Sequence, residues 1–350
     1  MGRKTLWVIG NHLLFTSRIW ENIERDTIIL MVESEERARL FRYHKKKLVL
    51  VFSAMRHYAE ELRKNGWAAD YVWLAEGCDF YRALKRHVER YHPEKILVFR
   101  PADVSIAGNI EELFGRLGMP FCFVSNDLFL VDPAEFAFRV AGKKRLLMEQ
   151  HYRFLRRRLQ ILLDYEGKPE GGRWNYDAQN RRPYSPEVRP GYIPMFTPDA
   201  VTQAVMEEVE KIFPDHPGSV RGFDYPVTRK ETLGHLERFV EERLDLFGPY
   251  QDMMATAESH LYHSLLSPML NIGLLHPREV VERVVEAYRQ GRARLASVEA
   301  MVRQVIGWRE FVYGISQSFL PRYLEGNYFD THRSLPRFFW DGQTDLRCLR

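Results

Sequence analysis

From Glu166 the chain reads EGKPEGGRWNYDAQNRRPYSPEVRPGYIP, and up to Pro198 no hydrophobic period survives. Gly and Pro recur too often there for a helix or a strand, and a run of about thirty such residues marks a long connection between two folded parts. On its N-terminal side, short β-like runs alternate with helical patterns. The strand candidates are Thr5 to Gly10, Thr27 to Glu33, Lys47 to Phe52, Asp70 to Leu74, Lys95 to Phe99 and Phe121 to Val124. Ala54 to Lys64 and Phe80 to Tyr91 have the period of crossover helices, so the expected architecture is a doubly wound, Rossmann-like α/β domain with a parallel sheet. On its C-terminal side the period is helical almost throughout, in Thr202 to Ile212, Arg229 to Leu246, Ser264 to Leu270, Pro277 to Gln290 and Ser297 to Tyr313. The expected order is α/β then all-α: residues 1–135 an α/β domain, 136–200 a basic helix and interdomain linker, 201–350 a helical domain.

Ligands of doubly wound sheets lie beyond the carboxyl ends of the strands, which points to Gly10-Asn11-His12, Glu33 and Ser53, although ordinary polar loop residues fit there as well. With 45% apolar residues in 350, both parts have enough material for a core. No apolar run is long enough to span a bilayer, and Met1-Gly2-Arg3-Lys4 leads into a strand-like run, not a signal peptide, so a cytoplasmic setting is expected. Three widely separated cysteines, Cys78, Cys122 and Cys348, do not describe a disulfide framework. The chain has no GxGxxG or GxxxxGK[ST] loop, no HExxH and no CxxC pair, which argues against dinucleotide dehydrogenases, P-loop NTPases and zinc enzymes.

A net charge of +4 says little, but its distribution says more. From Lys143 to Arg158 the sequence KKRLLMEQHYRFLRRR holds seven Lys or Arg against one Glu. Such a run is a solvated helix face or, with Arg173, Arg181 and Arg182 following, a surface for nucleic-acid phosphates. In the helical part, Phe247-Gly248-Pro249-Tyr250-Gln251-Asp252 precedes Tyr262-His263-Ser264-Leu265-Leu266-Ser267-Pro268, and Gln304-Val305-Ile306-Gly307-Trp308-Arg309-Glu310-Phe311 comes later. A hydroxyl-rich turn that opens a helix can hold a diphosphate through hydroxyls and backbone N–H groups; taken singly, each segment also reads as a cap or as core packing.

Together, in this order, these segments resemble the flavin-binding half of photolyases and cryptochromes. Tyr43-His44-Lys45-Lys46-Lys47, Phe52-Ser53-Ala54-Met55-Arg56-His57, Met148-Glu149, Gly171-Gly172-Arg173-Trp174-Asn175 and Phe338-Phe339-Trp340 with Cys348 narrow the likeness to the bacterial iron–sulfur branch, the deoxyribodipyrimidine photolyase-related proteins. The resemblance implies a carbon–carbon lyase that repairs (6-4) photoproducts in light, using reduced FAD as electron donor. It implies that Tyr250, His263, Ser264, Leu266, Ser267 and Arg309 hold FAD, that Gln304 faces flavin and lesion, and that Trp340 relays electrons. It further implies a ribityllumazine antenna near Asn11, Glu33 and His44, with Asn11 standing where many relatives have Asp. Cys348 matches the first of four [4Fe–4S] ligands; the other three, and the His that serves repair, belong to a C-terminal segment that this chain is expected to lack. Damaged duplex DNA is the implied partner of a monomer, contacted by Lys143, Lys144, Arg156, Arg157 and Arg173. The alternatives are a cryptochrome-like blue-light receptor and a truncated, inactive remnant.

Overall fold

The computed structural model describes residues 3–183, 188–189, 192–255 and 258–348. Five parallel strands, β1 (Lys4–Trp7), β2 (Ile28–Val32), β3 (Ala68–Val72), β4 (Lys95–Phe99) and β5 (Phe121–Val124), form one sheet in the order β3-β2-β1-β4-β5. Every residue of β2, Ile-Ile-Leu-Met-Val, is buried, as expected of a strand covered on both faces. The covering helices are α1 (Lys45–Lys64), α2 (Phe80–Tyr91) and α3 (Val104–Leu117). Asp79 and Asp103 cap α2 and α3 by accepting N–H bonds from their first turns.

The strand expected at Lys47 to Phe52 is the first half of α1 instead. Its apolar run, Leu48-Val49-Leu50-Val51-Phe52, looks strand-like because this part of the helix is covered nearly all round, by the sheet and by α6 (Ala200–Ile212). Ser53 therefore lies in a helix and not at a strand end. Gly10, just past β1, is needed for this packing, because a Cβ there would stand 2.8 Å from Met55 Sδ of α1.

Two helices precede the connection, α4 (Pro133–Val140) and α5 (Met148–Leu159). After it come α6, α7 (Arg229–Glu242), α8 (Leu244–Tyr250), α9 (Ser267–Ile272), α10 (Pro277–Arg289), α11 (Leu295–Val302) and α12 (Arg309–Glu325). The pattern from Ser297 to Tyr313 is continuous because α11 runs into α12 through a π-helical turn, Arg303–Trp308, in which the Arg309 N–H bonds to the Gln304 carbonyl. Basic helix α5 packs on this turn: Tyr152 and Leu155 are fully buried, and Gly307 leaves room for Met148 Sδ, 3.1 Å from where a Cβ would be. No helix among the described residues is long and apolar enough to cross a membrane.

Candidate functional site: a cleft at the switch point of the sheet

From β1 the chain turns towards β2 and β3, and from β4 it turns the other way, towards β5, so the exits of these adjacent strands diverge and open a crevice. Asn11 and His12 after β1, Pro101 and Ala102 after β4, and Asn126, Leu128 and Phe129 after β5 form one wall of a cleft of about 870 Å³. The helical part forms the other wall, with Phe247 from α8, His263 and Ser264 from the turn before α9, Ser267 at the start of α9, and Gln304, Trp308 and Arg309 from the π turn and α12. A backbone bond from Leu13 N–H to the Ile272 carbonyl, 2.8 Å, ties the β1 exit to the end of α9.

The serine turn is strained. Leu261 and Leu265 have φ of 47° and 58°, a left-handed conformation that costs a non-glycine residue roughly 1–2 kcal/mol. The carbonyls between them are held from behind. Arg243, between α7 and α8, donates Nη1–H to the His263 carbonyl at 2.8 Å, and His235 of α7 pairs its Nε2 with the Ser264 carbonyl at 2.9 Å. Burial lowers the His235 pKa, so the ring is a neutral donor. The Tyr262 hydroxyl donates to the Arg189 carbonyl at 2.7 Å, and Tyr250 stacks on Tyr262 with ring centres 5.4 Å apart. Tyr250 is thus a support of the turn, and fully buried Leu266 anchors it in the core; neither lines the cleft.

Arg309 is fixed on two sides. Its guanidinium lies 4.0 Å over the Phe129 ring, which is itself stacked on Tyr313 at 3.7 Å. Its Nη1 donates at 2.8 Å to Glu310, whose buried carboxylate also accepts the backbone N–H groups of Leu130 and Val131 at 2.7 and 2.9 Å. Burial lowers the Arg309 pKa and raises that of Glu310, and it pushes Tyr313 up to about 12. The π turn brings Gln304 and Trp308 to the same opening, and π turns of this kind recur at functional sites.

Asp127, His235 and Arg243 had no signal as site residues in the sequence, and His12 and Glu310 stood only within longer segments, with no role of their own. His12 stacks on Phe99 at 3.6 Å and pairs its Nε2 with Asp127 at 3.2 Å, while the Asp127 carbonyl receives His276 Nε2 at 2.9 Å. These contacts join residues far apart in the chain, so no local spacing announces them.

Of the residues expected around an antenna, the cleft takes in Asn11 alone. Glu33 is wholly buried: Arg56 donates to both its oxygens at 2.8 and 2.9 Å, and the Leu74 N–H and the Tyr71 hydroxyl complete its shell. A carboxylate so engaged offers a ligand no free face. His44 caps α1, accepting the Lys46 N–H at 3.1 Å, and packs against Gly218.

The expectation that Arg156 meets a duplex is corrected. It is 1% exposed and spends its guanidinium on the carbonyls of Ile161, Leu162 and Trp174, closing the end of α5. Lys143, Lys144, Arg157 and Arg173 are exposed. Trp340 is 78% exposed on a short helix, Phe338–Asp341, and is not among the residues of the cleft. Cys348 is exposed, and the described residues contain no group of three or more His, Cys, Asp or Glu able to hold a metal ion. A second cleft, of about 970 Å³, lies between α1 and the start of α7, with Trp20, Tyr58 and Trp67 in its wall. It is larger, but it contains none of the residues singled out above as candidates for chemistry.

Residues 6–225 match the model of the family described as deoxyribodipyrimidine photo-lyase-related protein. The chain is 38% identical, over 347 residues, to a (6-4) photolyase of Agrobacterium fabrum, covering 98% of this chain and 68% of that one. An uncharacterized protein of Acanthamoeba polyphaga mimivirus is 30% identical over 98 residues, 28% of this chain and 74% of its own length. In fold, the chain is similar to a bacterial class III photolyase from Agrobacterium tumefaciens, with a TM-score of 0.61 at 16% identity. That match covers 98% of this chain and 64% of the solved one, so the chain spans under two thirds of that structure's length.

Proposed function

Because the chain belongs to the deoxyribodipyrimidine photo-lyase-related family, we propose that it is a light-dependent DNA-repair flavoprotein that binds FAD in the switch-point cleft and acts on (6-4) photoproducts. One observation carries this reading: a single cleft of about 870 Å³ gathers Ser264, Ser267, Gln304 and Arg309 with the aromatic walls of Phe129, Phe247 and Trp308. Large, mostly apolar clefts with a few convergent polar groups are what flat cofactors need.

FAD, when bound, supplies the photochemical electron; the protein's part is to hold it and keep it dry. In this reading the Ser264 and Ser267 hydroxyls bind the diphosphate, Arg309 presents a guanidinium that Glu310 keeps oriented, and Gln304 hydrogen-bonds the ring or the lesion. Trp308 covers the ring against water. Duplex DNA binds through Lys143, Lys144, Arg157 and Arg173, which contact phosphates without regard to sequence, and the lesion reaches the cleft by leaving the base stack. The setting proposed is a cytoplasmic monomer.

Two further groups do not fit the described residues. Glu33 is closed off and Asn11 faces the flavin cleft, so the expected contacts of a ribityllumazine make no site of their own. A [4Fe–4S] cluster has one exposed thiolate at Cys348, while Cys78 and Cys122 belong to the α/β part. Neither group enters the steps above.

The test is flavin binding to purified protein, read by fluorescence, in wild type and in Ser264→Ala/Ser267→Ala and Arg309→Ala variants. Each variant should weaken FAD binding by about tenfold or more, as loss of charge-assisted bonds does. Wild-type protein that binds no FAD, or variants that bind it unchanged, would refute the placement.

A further inference from the structure

Beneath the serine turn lies a cation that no carboxylate among the described residues pairs with. Arg243 is fully buried, and besides its bond to the His263 carbonyl its Nε and Nη2 find no partner among the described residues. The adjacent carboxylate, Glu242, pairs with Arg238 at 3.1 Å. Burial lowers the pKa of Arg243 and the nearby charge of Glu242 offsets this only in part, in keeping with a charge held at a cost. Buried charges are ordinarily paired, and one left without a carboxylate persists where something else requires its field. The helix after the turn cannot provide that field: α9 has only six residues, too few peptide dipoles to sum to an appreciable macrodipole.

We propose that Arg243 is a positioning residue that fixes the His263–Ser267 turn and supplies the positive potential by which the cleft selects a diphosphate ester over an uncharged flavin. The inference rests on the flavin reading above and deepens it. Arg243 acts twice. Its Nη1–H restrains the carbonyl between two left-handed leucines, which sets the direction of the Ser264 hydroxyl and of the backbone N–H groups after it. Its charge, screened by protein and not by water, acts on an anion across one layer of backbone at a much lower effective dielectric than a surface lysine would. A site built from hydroxyls alone would take riboflavin nearly as well as FAD, whereas a site backed by a buried cation would not.

The experiment compares full-length wild type, Arg243→Lys and Arg243→Met, with near-ultraviolet circular dichroism to confirm folding. FAD, riboflavin and inorganic pyrophosphate are the probes, the last followed through the fluorescence of Trp308 in the cleft wall. Arg243→Met should weaken FAD and pyrophosphate by about tenfold and leave riboflavin within about twofold, and Arg243→Lys should recover most of the loss, since a charged hydrogen-bond donor is worth that much. Equal losses of FAD and riboflavin, without recovery in Arg243→Lys, would reduce Arg243 to a packing role and overturn the proposal. So would unchanged FAD affinity in Arg243→Met. If Arg243→Met does not fold, Arg243→Lys decides: a kept preference for FAD over riboflavin supports the proposal and a lost one overturns it. If wild type binds no FAD, the flavin reading itself fails. Pyrophosphate then judges Arg243 alone, in favour if wild type binds it and Arg243→Met does not, against if wild type does not bind it.

Discussion

Arg156 and Arg157 are neighbours with opposite fates. Arg156 satisfies three carbonyls at the end of α5, while exposed Arg157 lies 4.5 Å from the Trp174 ring with its charge facing solvent. Arg156→Met should cost about 2–4 kcal/mol in denaturant unfolding, because buried carbonyls lose charged donors, and should leave duplex affinity at fixed salt unchanged. Arg157→Glu combined with Lys143→Glu should do the reverse, weakening binding to every duplex alike and reducing its salt dependence. A basic run shows where charge is plentiful, but not which side chain the helix turns inward. His151, on the same helix, lies among Phe136, Phe311 and Arg139, and burial, aided by the arginine charge, lowers its pKa to about 4. The unfolded chain binds that proton near pH 6.5 and the native state does not. The contribution of His151 is therefore complete above pH 6.5 and lost as pH falls towards 4, by up to roughly 3 kcal/mol. Urea unfolding across that range should give a flatter profile for His151→Leu than for wild type; parallel profiles would contradict this.

Contact between α8 and α11 is close enough to need a glycine. A Cβ on Gly248 would stand 2.7 Å from Ser297 Cα and 2.8 Å from Asn180 Oδ1, and the Gly248 N–H donates to Ser297 Oγ at 3.1 Å. Gly248→Ala should therefore destabilise by about 1–3 kcal/mol despite the better helix propensity of alanine. An unchanged denaturation midpoint would show that the two helices have slack. At this scale the sequence was informative wherever one period held. Ile28–Val32 and Lys95–Phe99 form strands because β-branched and apolar residues fill both faces, and Phe80–Tyr91 forms a helix because one face only is apolar. It misled at Lys47 to Phe52, where a helix covered on most sides has no polar face to reveal its period. It also misled at Arg229 to Leu246, expected as one helical run, where Arg243 leaves the helical path between α7 and α8 to turn its side chain beneath the serine turn.

For the molecule as a whole, the cleft follows from topology, because the divergence of the β1 and β4 exits creates a crevice whatever the side chains are. Ser264, Ser267, Gln304 and Arg309 were legible as candidates through their motifs, and Asn11 through its place after a strand, although the structure turns Asn11 to the shared cleft. The His12–Asp127 pair and the bonds from Leu130 and Val131 to Glu310 were not legible, since they exist only once the sheet and the helical layer meet. The central claim is that this junction holds a flavin that repairs DNA in light. The measurement that addresses it is the conversion of a (6-4) photoproduct in a duplex oligonucleotide by the FAD-loaded, reduced protein, under blue light and in darkness, followed by chromatography of the digested DNA. Restored pyrimidines in light and none in darkness is the expected result. Tight FAD binding with no repair in light would point to a cryptochrome-like receptor and contradict the claim.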